Sequence, residues 1–165
     1  MKTALGLSMM ADGAFPIDKW SVEDLVPHAA PMVLLDKLTS ASVGLLRATA
    51  AINKSSPFYM GTDGVAAWWA IEYMAQAVAA YAGLRDRAAG REVPIGFLTS
   101  CRRFTCNQPV IRLGTNAEIR VDEIMAMEES LAVFECSMQA DEFSASAIIS
   151  VYSGGGVKDG SQPEQ

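Results

Sequence analysis

The chain is short of the residues that build metal centres and disulfides. Its 165 residues include one histidine, His28, and three cysteines. Cys101, Cys106 and Cys136 form no CxxC pair, and an odd number leaves one thiol unmatched in any disulfide scheme. We therefore expect reduced, buried thiols. Because cysteine and histidine do not cluster anywhere, the sequence predicts no metal site.

Basic charge is also scarce, with 13 lysines and arginines against 19 acidic residues and a net charge of -6. A surface for nucleic acid or anionic lipid needs a basic field, so we expect neither partner. The one long apolar stretch is rich in alanine and carries an acid in its middle, which argues against a membrane span. The first residues lack the cleavage site of a signal peptide. We therefore expect a cytoplasmic protein.

What the chain does contain is an apolar stretch from Ala66 to Arg87, AAWWAIEYMAQAVAAYAGLRDR. Up to Leu84 its only polar side chains of note are those of Glu72 and Gln76. This pattern predicts a long helix that protein covers on nearly every side. A spacing of four residues puts Glu72 and Gln76 one turn apart on the same face. The helix thus carries a single polar notch, which some other part of the protein must satisfy.

Strand patterns flank this helix on both sides. Ser21 is a suitable N-cap for a short helix, and Gly44 marks the turn of a hairpin. We predict six strands, at residues 32–41, 45–53, 94–106, 114–127, 130–140 and 143–152, of which the last four would form a meander.

The segregation of helix and strands favours an α+β fold with an antiparallel sheet of about six strands. We place a single domain at residues 20–152, a loosely ordered segment at 1–19 and a disordered tail at 153–165, where apolar residues are few. One sheet cannot cover a lone helix on all sides unless it curls or a second copy covers the rest. The pattern therefore predicts a dimer.

Four segments in this order resemble one known family: VPHAAPMVLLDK (26–37), SPFYMG (56–61), IEYMAQ (71–76) and SCRRFTCNQPVIRLG (100–114). The chain resembles the hotdog-fold 3-hydroxyacyl-ACP dehydratases, and most of all the branch found in aryl-polyene biosynthesis clusters. The resemblance runs over roughly residues 20–152. It implies a hotdog fold, in which the sheet wraps around one long central helix and two subunits form a dimer.

The resemblance also implies site residues. Glu72 matches the catalytic carboxylate on the family's helix, and Gln76 would position Glu72 or the substrate hydroxyl. The family carries a catalytic histidine directly after the glycine of its PF-x-x-G loop, whereas this chain has Thr62 there. His28 is the one imidazole that could replace it as a base. A histidine between two prolines can equally be a structural hydrogen-bonding residue, so both roles stay open.

Further residues are candidates for substrate binding. The backbone N–H groups of Gly64 and Val65, which we place at the positive end of the long helix, could bind the thioester carbonyl oxygen. Arg102 and Arg103 could meet phosphopantetheine or an acidic acyl carrier protein. The resemblance implies no cofactor other than the phosphopantetheine on which the carrier protein presents the substrate.

The expected reaction is the dehydration of 3-hydroxyacyl-ACP or 3-hydroxyacyl-CoA thioesters to enoyl thioesters, in fatty-acid or polyene-type synthesis. Two alternatives remain at this stage. One is a non-catalytic hotdog subunit that partners an active dehydratase, which the missing loop histidine would allow. The other is an acyl thioesterase, since the same fold hosts that activity. The partner subunit could be a second copy of this chain or another hotdog protein.

Overall fold

The computed structural model describes residues 13–61, 63–93, 95–127 and 131–153. Over these ranges the chain forms one helix and eight strands, together with single 3-10 turns at Ile17–Lys19, Val22–Asp24 and Ala67–Trp69. In chain order the elements are β1 (Lys37–Ser42), β2 (Leu45–Ala51), β3 (Gly64–Ala66), α1 (Ala70–Ala88), β4 (Gly96–Cys106), β5 (Val110–Arg112), β6 (Asn116–Ala126), β7 (Leu131–Ala140) and β8 (Phe143–Ser153).

Six of the strands form one sheet in the order β1-β2-β6-β7-β8-β4, and every neighbouring pair is antiparallel. The predicted α+β class with a six-stranded antiparallel sheet is confirmed. The predicted meander is right for β6, β7 and β8 but wrong for β4, which lies at the far edge beside β8. The chain leaves β4 through β5, which pairs with β3 in a separate two-stranded sheet, and only then enters β6.

Helix α1 begins four residues later than the apolar pattern predicts. Residues 64–66 are strand β3, and residues 67–69 form a 3-10 turn. The Ala67 N–H donates to the Pro109 carbonyl over 2.9 Å, so pairing with the β5 segment competes with the helix for this backbone. The helix ends as predicted near Gly90, whose φ of 74° is favourable for glycine.

The first predicted strand is also shorter than its sequence pattern. It begins at Lys37 rather than at Met32. The preceding segment instead bonds to helix α1, because the Met32 carbonyl and the Leu34 N–H both bond to the side chain of Gln76. The hairpin that follows is as predicted, with Gly44 in the turn at a φ of 78°.

Part of the N-terminal segment packs onto the domain. Phe15 is buried, and its N–H donates to the Ala41 carbonyl over 2.9 Å, while Ala14 forms a bridge with Ser42. Residues 13–19 therefore differ from the loosely ordered segment that the sequence predicts. Residues 1–12 and 154–165 lie outside the described residues, so most of both predicted terminal segments stays a prediction.

The core lies between helix α1 and the face of the large sheet that it crosses. Its fully buried members include Leu46, Met74, Leu84, Ile119 and Ile149, from the helix and three strands. Within the described residues, no helix is both long and apolar enough to cross a membrane.

The three thiols are free, but only one of them is buried. Burial raises the pKa of the Cys136 thiol to about 12. Cys101 is half-buried and Cys106 is exposed, both on strand β4. The expectation of buried thiols is wrong for Cys106, because β4 is an edge strand and covers little of the core.

Gly83 allows the segment that leads to His28 to lie directly on the helix. A Cβ built at this position would stand 2.0 Å from the Leu25 carbonyl oxygen, which is backbone and cannot move alone. Glycine at this helix position therefore allows the Val22–Pro27 segment to pack directly against the helix.

We expect Gly83→Ala to destabilise the fold although alanine is the better helix former by about 1 kcal/mol. Overpacking against backbone costs about 1–3 kcal/mol, so the urea midpoint should fall. Gly96→Ala is the matched control, because its Cβ would meet nothing closer than the Tyr152 carbonyl at 3.8 Å. A Gly83→Ala variant as stable as the wild type would contradict this reading.

Candidate active site

His28 and Glu72 meet within one chain. His28 lies in the segment between the second 3-10 turn and β1, and Glu72 lies in the first turn of α1. The His28 Nε2 atom stands 3.5 Å from Glu72 Oε1. Their side chains are 33% and 30% exposed, so neither is sealed in the core. The polar notch predicted from the helix spacing therefore has a histidine beside it.

Gln76 is the buried amide that holds this arrangement together. Its Oε1 accepts the Leu34 N–H over 2.9 Å, which fixes the orientation of the amide. Its Nε2 donates to the Met32 carbonyl over 2.7 Å and to Glu72 Oε1 over 3.0 Å. Gln76 is completely buried, and these bonds use both N–H groups and the oxygen. It thus orients Glu72 and anchors the segment that carries His28.

The second nitrogen of His28 has a different environment. Nδ1 is buried and has no hydrogen-bond partner among the described residues. The Nε2 atom is the one that faces Glu72. A proton that His28 exchanges with a substrate or with Glu72 must therefore pass through Nε2.

A cavity of about 180 Å³ opens beside His28 and Glu72. It follows helix α1 towards its C-terminal end, and the starts of β4 and β7 and the end of β8 line its other side. Its apolar lining comes from Ala75, Val78, Ala79, Ala82, Leu98, Ala132, Phe134 and Val151. Tyr81 and Arg85 line the cavity further along the helix. Such a cleft suits a hydrocarbon chain with its reactive end at His28 and Glu72.

The structure places Gly64 and Val65 in a strand and not at the start of the helix. The antiparallel register pairs Val65 with Ile111. At this position in the register, two residues away from the bonds at Ala67 and Leu113, the two residues exchange both backbone N–H···O hydrogen bonds. A Cβ at Gly64 would stand 2.0 Å from the Ile111 carbonyl oxygen, so glycine is needed for this close approach. The expectation that these two residues form the positive end of the helix is therefore wrong.

Arg102 and Arg103 do not line the cavity. Both are exposed on the outer part of β4, near the irregularity at which the β4 and β8 registers shift. Arg103 has a φ of 53°, unusual for a residue other than glycine. The cation that does line the cavity is Arg85, which the sequence explains equally well as a favourable charge at the end of the helix.

The family described as ApeP dehydratase, ApeP-like, matches residues 20–160. The chain belongs to the ApeP-like dehydratase family. The match includes His28, Glu72 and Gln76, and the predicted resemblance to the aryl-polyene branch is confirmed. Thr62, which the resemblance places at the position of the family's loop histidine, lies outside the described residues.

Solved structures agree on the fold of this ApeP-like chain. The dehydratase heterocomplex ApeI:P from Xenorhabdus doucetiae matches with a TM-score of 0.77 and 23% identity, over 82% of this chain and 92% of that one. PaaI of E. coli, from the phenylacetic acid degradation operon, matches with a TM-score of 0.56 and 11% identity, over 73% and 80%. The uncharacterised protein PH1136 from Pyrococcus horikoshii has a TM-score of 0.56 and 12% identity, over 81% and 94%. The comparison with curated proteins found no match.

We expect Gln76→Leu to destabilise this ApeP-like protein strongly. The change leaves the Leu34 N–H and the Met32 carbonyl without their partner in the interior, at about 1–3 kcal/mol for each group. Urea denaturation followed by circular dichroism measures the loss. Gln139→Leu makes the same chemical change at an exposed site on β7 and should leave the midpoint near that of the wild type. Equal midpoints for the two variants would show that the amide bonds contribute nothing.

Proposed function

We propose that the chain catalyses the dehydration of a 3-hydroxyacyl thioester to the enoyl thioester, with His28 as base and Glu72 as acid. One observation carries the proposal. An imidazole nitrogen and a carboxylate oxygen lie 3.5 Å apart at one end of an apolar cavity. Dehydration needs a base at C2 and an acid at the C3 hydroxyl, and these two positions are neighbours on the substrate.

The steps balance with these two groups alone. The C2–H bond breaks, its proton moves to His28 Nε2, and its electron pair forms the C2=C3 double bond. The C3–O bond breaks as Glu72 gives its proton to the departing hydroxyl, which leaves as water. Transfer of the proton from His28 to Glu72 across 3.5 Å then restores both groups. Because the two groups lie 3.5 Å apart, both act on the same face of the substrate in this mechanism, and we expect a syn elimination.

Gln76 supports this cycle by holding Glu72 in place. Its Nε2–H donates to Glu72 Oε1, the same oxygen that faces His28. The proton that Glu72 regains from His28 arrives at this same oxygen, so Gln76 positions the atom that exchanges protons with Nε2. Positioning by a buried and fully bonded amide keeps the acid oriented without help from the substrate.

The substrate is an acyl chain carried on phosphopantetheine, of an acyl carrier protein or of CoA, as in fatty-acid or polyene-type synthesis. The apolar lining of the cavity suits the acyl part. Arg102 and Arg103, both exposed on β4, suit docking of an acidic carrier protein, since the chain as a whole is acidic.

The free edge of β4 is the proposed docking surface for a second hotdog subunit. Within the described residues, β4 pairs only with β8, and Ile95, Phe97 and Leu98 are exposed large hydrophobics at its start. Such an edge is a template for pairing with another chain. The similar ApeI:P is a heterocomplex, which supports a different protein as the partner, and a second copy of this chain is the alternative.

We expect both His28→Ala and Glu72→Gln to lower kcat by about 10²–10⁴-fold, the usual contribution of general acid–base catalysis. The assay follows enoyl absorbance after addition of a 3-hydroxyacyl thioester to the purified protein. Glu135→Gln, at an exposed carboxylate on β7, is the control and should keep the wild-type rate.

The same assay separates the alternatives. A wild-type protein that releases free thiol without enoyl product would be a thioesterase. If neither signal is seen and the protein is isolated with a second hotdog chain, the non-catalytic partner role replaces the proposal. A His28→Ala variant with an undiminished rate would remove that residue from the mechanism.

We expect Phe97→Asp to convert the assembly to single subunits, because a charge on this edge opposes burial at an interface. Light scattering during size-exclusion chromatography gives the mass. Val43→Asp, at an exposed apolar residue in the β1–β2 turn, is the matched control and should leave the mass unchanged. Dissociation by the Val43 variant alone would place the interface at that turn.

A further inference from the structure

We propose that Arg85 and Tyr81 form a second binding site in the cavity, which accepts an uncharged oxygen, such as a hydroxyl, at the distal end of the acyl chain. This inference rests on the proposed function, because it assumes that the thioester end of the substrate lies at His28 and Glu72. In this proposal Arg85 and Tyr81 distinguish substrates by the chemical group at the far end of the acyl chain.

The two sites stand at opposite ends of one cavity. Glu72 and Arg85 both line it and are separated by 13 positions in the sequence, within helix α1. At 1.5 Å per residue the axial distance between them is about 20 Å. A substrate that occupies the whole cavity must therefore place different chemical groups at the two ends.

The wall between the two ends identifies which part of the substrate lies there. On the helix side it consists of Ala75, Val78, Ala79 and Ala82, and on the sheet side the lining is mostly aliphatic or aromatic. The pantetheine arm carries two amides, each of which would lose its hydrogen bonds to water against this wall. A hydrocarbon chain has no hydrogen bonds to water that it could lose there. The cavity therefore favours the acyl chain as its occupant, with its far end at Arg85.

The charge at Arg85 is balanced by a neighbouring carboxylate. The Arg85 Nη1 atom lies 3.8 Å from Glu123 Oε2, which is buried and has no hydrogen-bond partner among the described residues. This distance is an ion pair without a hydrogen bond, so the guanidinium keeps donors for a ligand. A carboxylate or phosphate would meet the repulsion of Glu123. A neutral oxygen would accept from Arg85 without that penalty.

Tyr81 gives the site a fixed aromatic wall. Its hydroxyl accepts the Gly44 N–H over 2.8 Å, and its ring meets Phe134 edge-on with centroids 5.8 Å apart. The Arg85 guanidinium lies over the Tyr81 ring, 6.0 Å from its centroid. Burial raises the pKa of the Tyr81 hydroxyl, which keeps it protonated and adds no negative charge. The arginine is thus held between a neutral ring and a carboxylate before any ligand arrives.

Binding of inert substrate analogues tests the proposal. The probes are acyl pantetheine thioethers in two matched series, which end in a methyl or in a hydroxyl, and calorimetry on the full-length protein measures each Kd. We expect the hydroxyl probe that spans about 20 Å to bind about tenfold more tightly than its methyl counterpart, as one hydrogen bond to a charged group provides. Shorter probes should show no preference.

Substitutions test which residue causes the preference for the hydroxyl probe. Arg85→Met should abolish this preference and leave the Kd of the methyl probe unchanged. Arg87→Met removes an exposed arginine two positions along the same helix and should preserve it. Glu123→Gln leaves Arg85 unbalanced, so a carboxylate-ended probe should gain about tenfold in affinity. A purely structural role for Glu123 would not produce that gain.

Each contrary result has a distinct meaning. Equal binding of the two long probes overturns the second site and leaves the proposed dehydratase reaction intact. If Arg85→Met weakens the methyl and the hydroxyl probe equally, Arg85 binds the pantetheine arm that both probes share, and the proposal is wrong. Failure of every probe to bind overturns both this site and the proposed function.

Discussion

The side-chain amide of Gln76 is the interaction on which the site depends. It is completely buried, and its three hydrogen-bonded contacts join helix α1, the segment before β1 and the carboxyl group of Glu72. Gly83 provides the second attachment of that segment, because the Leu25 backbone occupies the space of a side chain there. Between these two attachments the chain has little freedom. His28 lies between them and is thereby held beside Glu72.

Much of the fold is predictable because its signals are local. The apolar run that forms helix α1, the turn at Gly44 and the six long strands are all marked by periodicity and by turn residues. The polar notch of Glu72 and Gln76 also follows from a spacing of four. What the sequence does not reveal are pairings that depend on distant partners. Strand β3 has three residues inside an apolar run and exists only because β5 pairs with it.

The position of His28 also depends on a partner that is distant in the sequence. Its neighbours in sequence indicate a loop between prolines, and no local pattern states that this loop lies against the first turn of the helix. Arg85 was hidden for a different reason, since a cation near a helix end already has an adequate explanation in the helix dipole. Arg102 and Arg103 drew notice as a pair, yet an edge strand exposes them outside the cavity.

In the proposed mechanism the acid and the base belong to one chain. The most direct measurement combines two inactive subunits, one with His28→Ala and one with Glu72→Gln, expressed together with different tags and isolated as a mixed assembly. Because each chain lacks one member of its own pair, the account predicts that the mixed assembly forms no more enoyl thioester than either variant alone. Recovery of enoyl formation in the mixture would show that His28 of one subunit works with Glu72 of the other, and would contradict it.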